Sequence, residues 1–446
     1  MNSGILPNVL AALAGLSLLS ACGGGSGGGP VQGSVSEVVQ PPVVVQAIPA
    51  SEQRVIPTNE ARAYRSEGQF ATALKDCALA DNENICTLDV LPYIGQSGQR
   101  PTTEDVMQRV VVTHDWMGAR FEQMLRRMPS DMLELFAPVT SIVIGSQVRP
   151  SSYSGTRARI SIDPVYLWVT VPEKRTIDTG DDFRTEFGAG LKFLGFWRLA
   201  IGNDYAIRFS SLFDDNPREI DDLDISLARL LYHELAHAND FIQYNDLADV
   251  SGDMTPWQAA AALEDTQVWR ELYNEVQLTA QTSYLYGLAA VRYFDDEPTE
   301  FQASVTADFV GAEMANEGKM TFYGYSTPRE DVATLFASAM MKYHYDVDYH
   351  VGFVNKPVDN PQASCNDYKV SWGVRNRLAG GQVAPRAQLV VNKMMRPSAN
   401  RDQFFASELG AESSLRIGAG WCDSVSDEIQ LSKRADLPLP NELDAQ

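Results

Sequence analysis

The chain has 446 residues, with 36 Lys and Arg against 58 Asp and Glu, and its formal net charge is therefore −22. A field this negative repels nucleic acid and anionic lipid surfaces, which argues against either as the main partner. At 44% hydrophobic and 21% charged residues, the composition is typical of a globular protein with a sizeable core, and it excludes a fibrous or disordered chain.

The N-terminus carries no charged side chain over its first 36 residues, and its apolar run at 9–19 is too short to span a bilayer. The run ends in LSAC at Cys22, which resembles a bacterial lipoprotein signal peptide. The resemblance implies removal of residues 1–21, a lipid on Cys22, and attachment to the outer membrane, with its face left open. The alternative is a buried apolar helix, which the following GGGSGGG would continue poorly. Residues 22–58 have the composition of a flexible tether.

Four further cysteines are consistent with an exported protein, because an even number of cysteines can pair as disulfides in an oxidising compartment. Sequence proximity favours Cys77 with Cys86, which leaves Cys365 for Cys422. A zinc cluster built from these thiolates is disfavoured because no CxxC motif is present. Free buried thiols remain the other alternative.

The elements before residue 221 alternate between helical and strand patterns. Residues 103–127 have apolar side chains at helical spacing, whereas 135–148 and 157–171 are β-branched and aromatic, as strands are. Pro164 cannot donate to a ladder, so it predicts that the second strand is an edge strand or is interrupted there. Residues 172–220 are acidic and irregular, which indicates an insertion or lid-like loop region.

Helical patterns dominate after residue 221. Residues 224–244 lack Gly and Pro and carry an apolar stripe behind acidic residues suited to a helix N-terminus. Residues 255–293 and 328–345 are predicted as further helices. Strands grouped early and helices grouped late favour an α+β fold, with a small mixed sheet and a mostly helical C-terminal subdomain.

The first of these helices contains the sequence HELAH. Side chains four residues apart share one face of a helix, so His233 and His237 can reach one metal ion. Glu234 then lies beside that ion, where it could accept a proton from water. Asp240 is a candidate to orient a ligand imidazole, or is an ordinary surface residue. The alternative without a function is that His233 and His237 are two solvent-facing histidines on an amphipathic helix.

A second motif, FYGYSTPREDVATLFASAMMKYH, follows downstream and could supply the third ligand. Together with HELAHANDF it resembles the anthrax lethal-factor-like catalytic domains, which are gluzincin metallopeptidases of the zincin group. The resemblance implies a zincin-like fold and zinc ligands at His233, His237 and Glu330. It also implies a general base at Glu234 and an oxyanion-stabilising hydroxyl at Tyr323.

The second motif also has structural interpretations. Thr327 and Glu330 occupy the N-cap and N3 positions of a capping box, which would turn the carboxylate toward the backbone instead of a metal. Asp331 is the fallback ligand, and Tyr323 could be a buried structural tyrosine. Because 92 residues separate His237 from Glu330, the resemblance requires a helical insertion at 245–320.

These observations predict a zincin-like metallopeptidase domain at 59–350, with insertions at 172–220 and 245–320, and a C-terminal extension at 351–446. The expected activity is zinc-dependent cleavage of a peptide or protein substrate, which pairs with 157–171 as the edge strand. One alternative is a non-catalytic envelope-binding lipoprotein with a structural or vestigial zinc site. Another is a peptidoglycan amidase. The lipid anchor is the only membrane contact expected.

Overall fold

The structure is a computed structural model that describes residues 42–80, 85–180, 183–184, 187–275, 284–357 and 363–425. The predicted signal peptide, Cys22 and most of the tether lie outside the described residues. In the part of the chain that is described, no helix combines the length and the apolar character needed to cross a bilayer.

The described strands form two five-stranded sheets. The first sheet has the order β1-β2-β3-β5-β4, with β2, β3 and β5 parallel and the two outer strands antiparallel to their neighbours. Its strands are β1 (Arg62–Ala63), β2 (Val110–Val112), β3 (Ser141–Ile144), β4 (Ser152–Ser154) and β5 (Arg159–Ile162). The second sheet is antiparallel throughout, in the order β10-β9-β8-β6-β7. Its strands are β6 (Phe193–Ile201), β7 (Asp204–Tyr205), β8 (Asp348–Asn355), β9 (Val370–Arg375) and β10 (Ser413–Ser414).

The α-helices lie before, between and after the strands of the two sheets. Up to the HELAH motif they are α1 (Ala71–Cys77), α2 (Thr103–Met107), α3 (Asp115–Leu125), α4 (Val171–Lys174) and α5 (Asp224–Phe241). The following segment holds α6 (Pro256–Ala262), α7 (Val268–Glu275), α8 (Tyr284–Tyr293), α9 (Glu300–Ser304) and α10 (Ala307–Ala315). The last three are α11 (Pro328–Tyr345), α12 (Ala384–Met394) and α13 (Ala399–Ser407). The α+β class is therefore confirmed.

The central strands of the first sheet are buried on both faces, which explains their almost continuous β-branched sequence. Val110 and Val112 point into the main core, whereas Val111, between them, points into a smaller cluster with α1. The main core also receives the apolar stripe of α5 and most of α11, and these two helices pack directly against each other. The pair α5–α11 is thus held at the centre of the molecule.

Two sequence predictions near the first sheet differ from the structure. The segment at 103–127 is not one helix, because its three consecutive valines form β2 between α2 and α3. The segment at 157–171 is not an edge strand, because β5 is paired on both sides, by β3 and by β4. The other alternative, an interruption at Pro164, is confirmed, because β5 ends at Ile162. Pro164 begins a 3-10 helix directly after β5, and the edge of the sheet is β4.

The second sheet changes the predicted organisation. The segment at 172–220, predicted as an irregular insertion, contains β6, which pairs with β8 over eight residues from Phe193 to Ala200. The predicted boundary at 350/351 falls inside β8, and β9 continues the same sheet. Residues 351–357 and 363–425 therefore share a sheet and a hydrophobic core with earlier residues. The described residues of the segment at 245–320 contain the helices α6 to α10, and the interpretation of this segment as an insertion stays a prediction.

Two disulfides join the cysteine pairs that sequence proximity favoured. Cys77 at the end of α1 is bonded to Cys86, with a sequence separation of 9 residues. Cys365 is bonded to Cys422 across 57 residues, beside the second sheet. The second bond ties the last described segment of the chain to β8 and β9.

Candidate metal centre

Helix α5 brings two imidazoles together by its own geometry. Its apolar stripe is buried in the main core, which turns the opposite pair His233 and His237 toward one side of the helix. The centroids of the two rings are 4.9 Å apart. Their side chains are 13% and 11% exposed, so they line a recessed site and not the solvent-facing surface of an amphipathic helix.

Glu330 in the first turn of α11 faces these imidazoles. Its Oε2 lies 3.0 Å from His233 Nε2 and 3.4 Å from His237 Nε2. The cap of α11 is made by Thr327, whose side-chain oxygen accepts from the backbone N–H of Glu330 at 3.1 Å. The carboxylate of Glu330 points into the site, so the backbone of this residue serves the cap while its side chain serves the imidazoles.

His233, His237 and Glu330 could hold a metal ion, because their ligand atoms all lie within 4.8 Å of one another. Among the described residues, this is the only group of three or more His, Cys, Asp or Glu side chains with such an arrangement. Two imidazole nitrogens and one carboxylate oxygen form a donor set that suits a catalytic metal, since three protein ligands leave a position open. The residues therefore fit the metal site expected from the sequence.

The charges of the three groups support one another. Glu330 is buried, which by itself raises a carboxyl pKa, but the adjacent His237 and His233 hold its pKa well below the usual range. Burial lowers the pKa of a histidine, yet the Glu330 carboxylate raises that of His237 to about 9. The pKa of His233 is lowered by burial. A negative carboxylate is thus stabilised at the point where a cation would bind.

Glu234 lies on α5 beside the two imidazoles and is 5% exposed. Burial raises its pKa to about 7, partly offset by the nearby His237. A backbone hydrogen bond from Tyr153 in β4 links the carboxylate to the edge of the first sheet. This position gives Glu234 a proton affinity in the range that suits a general base near neutral pH.

Tyr323 lies across the site from α5, in a 3-10 helix that precedes α11. Its ring is half-buried, and its centroid is 6.3 Å from that of His233. Burial raises the pKa of its hydroxyl well above the ordinary value, and the Glu330 and Glu234 carboxylates add to this. The hydroxyl therefore keeps its proton and can donate a hydrogen bond within the site.

An apolar recess opens next to Tyr323, and sequence analysis did not predict it. It is shallow, with an internal volume of about 20 Å³, and its walls include Gly195 and Trp197 of β6 and Tyr293 of α8. The ring of Tyr293 is 4.9 Å from that of Tyr323. These walls come from segments far apart in sequence, so no local pattern could have indicated them.

The two remaining sequence candidates do not contact the imidazoles. Asp240 is completely buried, but its Oδ1 accepts from the backbone N–H of Trp269 at 2.8 Å and its Oδ2 pairs with Arg329. Asp240 therefore neither accepts a hydrogen bond from a ligand imidazole nor lies at the surface, and it contacts instead the residue before Glu330. Asp331, the fallback ligand, is turned away from the site and paired with Arg386.

No protein-family model, curated protein or solved structure matches this chain. A function must therefore be inferred from the chemistry and geometry of the metal centre itself.

Proposed function

We propose that this protein is a zinc metallopeptidase of the gluzincin type, with a zincin-like catalytic domain. The observation that carries the proposal is the position of one Glu330 carboxylate oxygen between two imidazoles of α5, with Glu234 buried beside them. Two histidines and one glutamate are a donor set used by zinc hydrolases. The buried basic carboxylate distinguishes this arrangement from a purely structural zinc site, which needs no proton acceptor.

A zinc ion held by His233, His237 and Glu330 would supply Lewis-acid polarisation of the scissile carbonyl and of the attacking water. The carboxylate of Glu234 takes the proton of that water and returns it to the leaving amine. The hydroxyl of Tyr323 donates a hydrogen bond to the oxyanion that develops on the carbonyl oxygen. The burial of Glu234 keeps competing water away from its proton transfers.

The proposed substrate is an extended peptide segment. Strand β4 forms the edge of the first sheet in the described part of the chain. The backbone of Tyr153 in this strand makes a hydrogen bond with the carboxylate of Glu234. A peptide that pairs with β4 would therefore run past the general base.

The proposed location is the cell envelope, with the protein anchored through a lipid on Cys22. This residue and the signal peptide lie outside the described residues, so the proposal depends on the N-terminal sequence. The two disulfides are consistent with an oxidising compartment.

The test is the zinc content and peptidase activity of the soluble chain lacking residues 1–22, compared with Glu234→Gln. We expect about one zinc per chain in both proteins, because Glu234 is not a ligand, and turnover only in the wild type. General-base removal typically costs about 10²–10⁴-fold in rate. A folded wild-type chain that binds no zinc would refute the proposal.

The same experiment separates the two alternatives. A binding lipoprotein would hold zinc in both proteins and show no turnover in either. A peptidoglycan amidase would lose its activity in Glu234→Gln but would cleave stem peptides in preference to ordinary protein substrates. A substrate panel containing both classes decides between these enzymes.

A further inference from the structure

The two residues that flank Glu330 both form ion pairs with buried groups. Arg329 is 26% exposed and pairs with the fully buried Asp240, whereas Asp331 and its charged partners are fully buried. Successive residues of an α-helix are about 100° apart around its axis, so Arg329 and Asp331 leave α11 on opposite sides of Glu330. Neither contact is needed to start the helix, because Thr327 already caps it. We propose that Arg329 and Asp331, here termed the Glu330 anchors, are positioning residues that fix the rotation of α11 and hold the Glu330 carboxylate at the metal centre.

The first anchor connects α11 to the end of α5 and to the helical segment that follows it. Arg329 pairs with the fully buried Asp240 and donates through Nη2 to Gln267 Oε1 at 2.6 Å. Its guanidinium lies 3.8 Å from the ring centroid of Phe241. The backbone N–H of Trp269 donates to the other oxygen of Asp240. This side of α11 is therefore locked to the helix that carries both histidines.

The second anchor connects α11 to the C-terminal part of the chain. Asp331 is fully buried and accepts from Arg386 Nη2 of α12 at 2.5 Å, from Lys319 Nζ at 2.9 Å and from Tyr273 Oη at 3.0 Å. It also packs against Gly324, where a β-carbon would lie 3.1 Å from Asp331 Oδ1. This glycine follows Tyr323, so the anchor contacts both the ligand helix and the turn that carries the hydroxyl.

The two anchors oppose each other mechanically. A rotation of α11 that moved Glu330 away from the imidazoles would stretch the Arg329 contacts on one side and the Asp331 contacts on the other. The carboxylates of Asp240 and Asp331 are fully buried, so each would lose much of its stabilisation on separation from its partner, because no water is there to replace it. Supporting residues of this kind typically change metal affinity by about 10–100-fold. The inference rests on the proposed zinc site and adds to it the residues that determine its affinity.

The test is the zinc affinity of Arg329→Met and Asp331→Asn in the otherwise intact soluble chain, measured by competition with a chelating indicator. We expect zinc binding to weaken about 10–100-fold in each. The matched control is Lys342→Met, which breaks the ion pairs with Asp346 and Asp348 at the other end of α11. The control should leave zinc affinity within about twofold of the wild type.

The zinc affinity of Arg329→Met shows whether Arg329 acts by positioning Glu330 or only through its positive charge. Removing a positive charge near a cation site should tighten zinc binding if only charge mattered, whereas loss of positioning weakens it. Thermal unfolding in excess chelator reports the stability of each variant without metal, so a loss of affinity can be separated from a loss of folding. Arg329→Lys, which keeps the charge but not the two-pronged contact, should show an intermediate affinity.

The possible results are distinct. Weakened zinc binding in folded Arg329→Met, with an unchanged Lys342→Met control, supports the anchors. Unchanged or tighter binding in folded Arg329→Met overturns them while leaving the metal centre intact. If Asp331→Asn fails to fold, the Arg329 arm alone decides. A wild-type chain that binds no zinc is a failure of the proposed function itself, and the variants are not needed to detect it.

Discussion

Helices α5 and α11 supply the candidate ligand atoms of the same site, but different physical causes bring those atoms into place. On α5 the i, i+4 spacing alone puts His233 and His237 on one face. On α11 the single ligand Glu330 depends on contacts that its neighbours make with α5, α7, the segment before α11 and α12. A metal site can thus combine one part that is determined locally with another that is determined by the whole fold.

The largest expected loss of zinc affinity follows the substitution of a ligand residue on either helix. His237→Ala and Glu330→Gln should each reduce zinc affinity by more than the roughly 100-fold limit for supporting residues, because a coordinate bond is lost and not only its orientation. Metal content after dialysis against metal-free buffer measures this. If Glu330→Gln kept its zinc, α11 would contribute no ligand, and the comparison between the helices would no longer hold.

The next effect concerns how each helix is held. Leu235 anchors α5 through the apolar core, and Leu235→Ala should lower the free energy of unfolding by about 2–5 kcal/mol. Asp331 anchors α11 through buried charges, and Asp331→Asn should lower it by about 3–5 kcal/mol because Arg386 is left unpaired. Chemical denaturation in excess chelator measures both. Only the second variant should also change zinc affinity in its folded fraction.

A smaller effect is expected at the start of α11. Thr327→Ala removes the side-chain oxygen that caps the backbone N–H of Glu330 and should destabilise the protein by about 1 kcal/mol. Zinc stoichiometry should stay near that of the wild type, since the carboxylate of Glu330 is not part of the cap. Complete loss of zinc in a folded Thr327→Ala chain would contradict the separation of cap and ligand.

The smallest effect is expected at the start of α5, which has no side-chain cap. There Asp224 and Asp221 pair with the partly exposed Arg127. Arg127→Gln should cost only about 0.2–1 kcal/mol, and the difference from the wild type should shrink as salt is added. Thermal unfolding at two ionic strengths checks this. A salt-independent loss of several kcal/mol would mean that α5 depends on its first turn as strongly as α11 does.

The parts of the fold that were predicted correctly are those with a strong local pattern. The helices α5 and α11 were predicted because their apolar side chains recur at helical spacing over 18 residues each. Strand β2 was missed because three valines inside a helical pattern are decided by pairing with β3, which is distant in sequence. Strand β6 was missed because acidic loops surround it and its partner β8 lies about 150 residues later.

The candidate site also has residues that local sequence patterns predict and contacts that only tertiary packing determines. The sequence by itself determined His233, Glu234 and His237, because helical periodicity places them without reference to any other segment. Only the tertiary structure decided that the Glu330 carboxylate faces these histidines and does not cap its own helix. It also decided that Asp240 pairs with Arg329, because buried charges are satisfied by whichever opposite charge the packing of distant segments brings within reach.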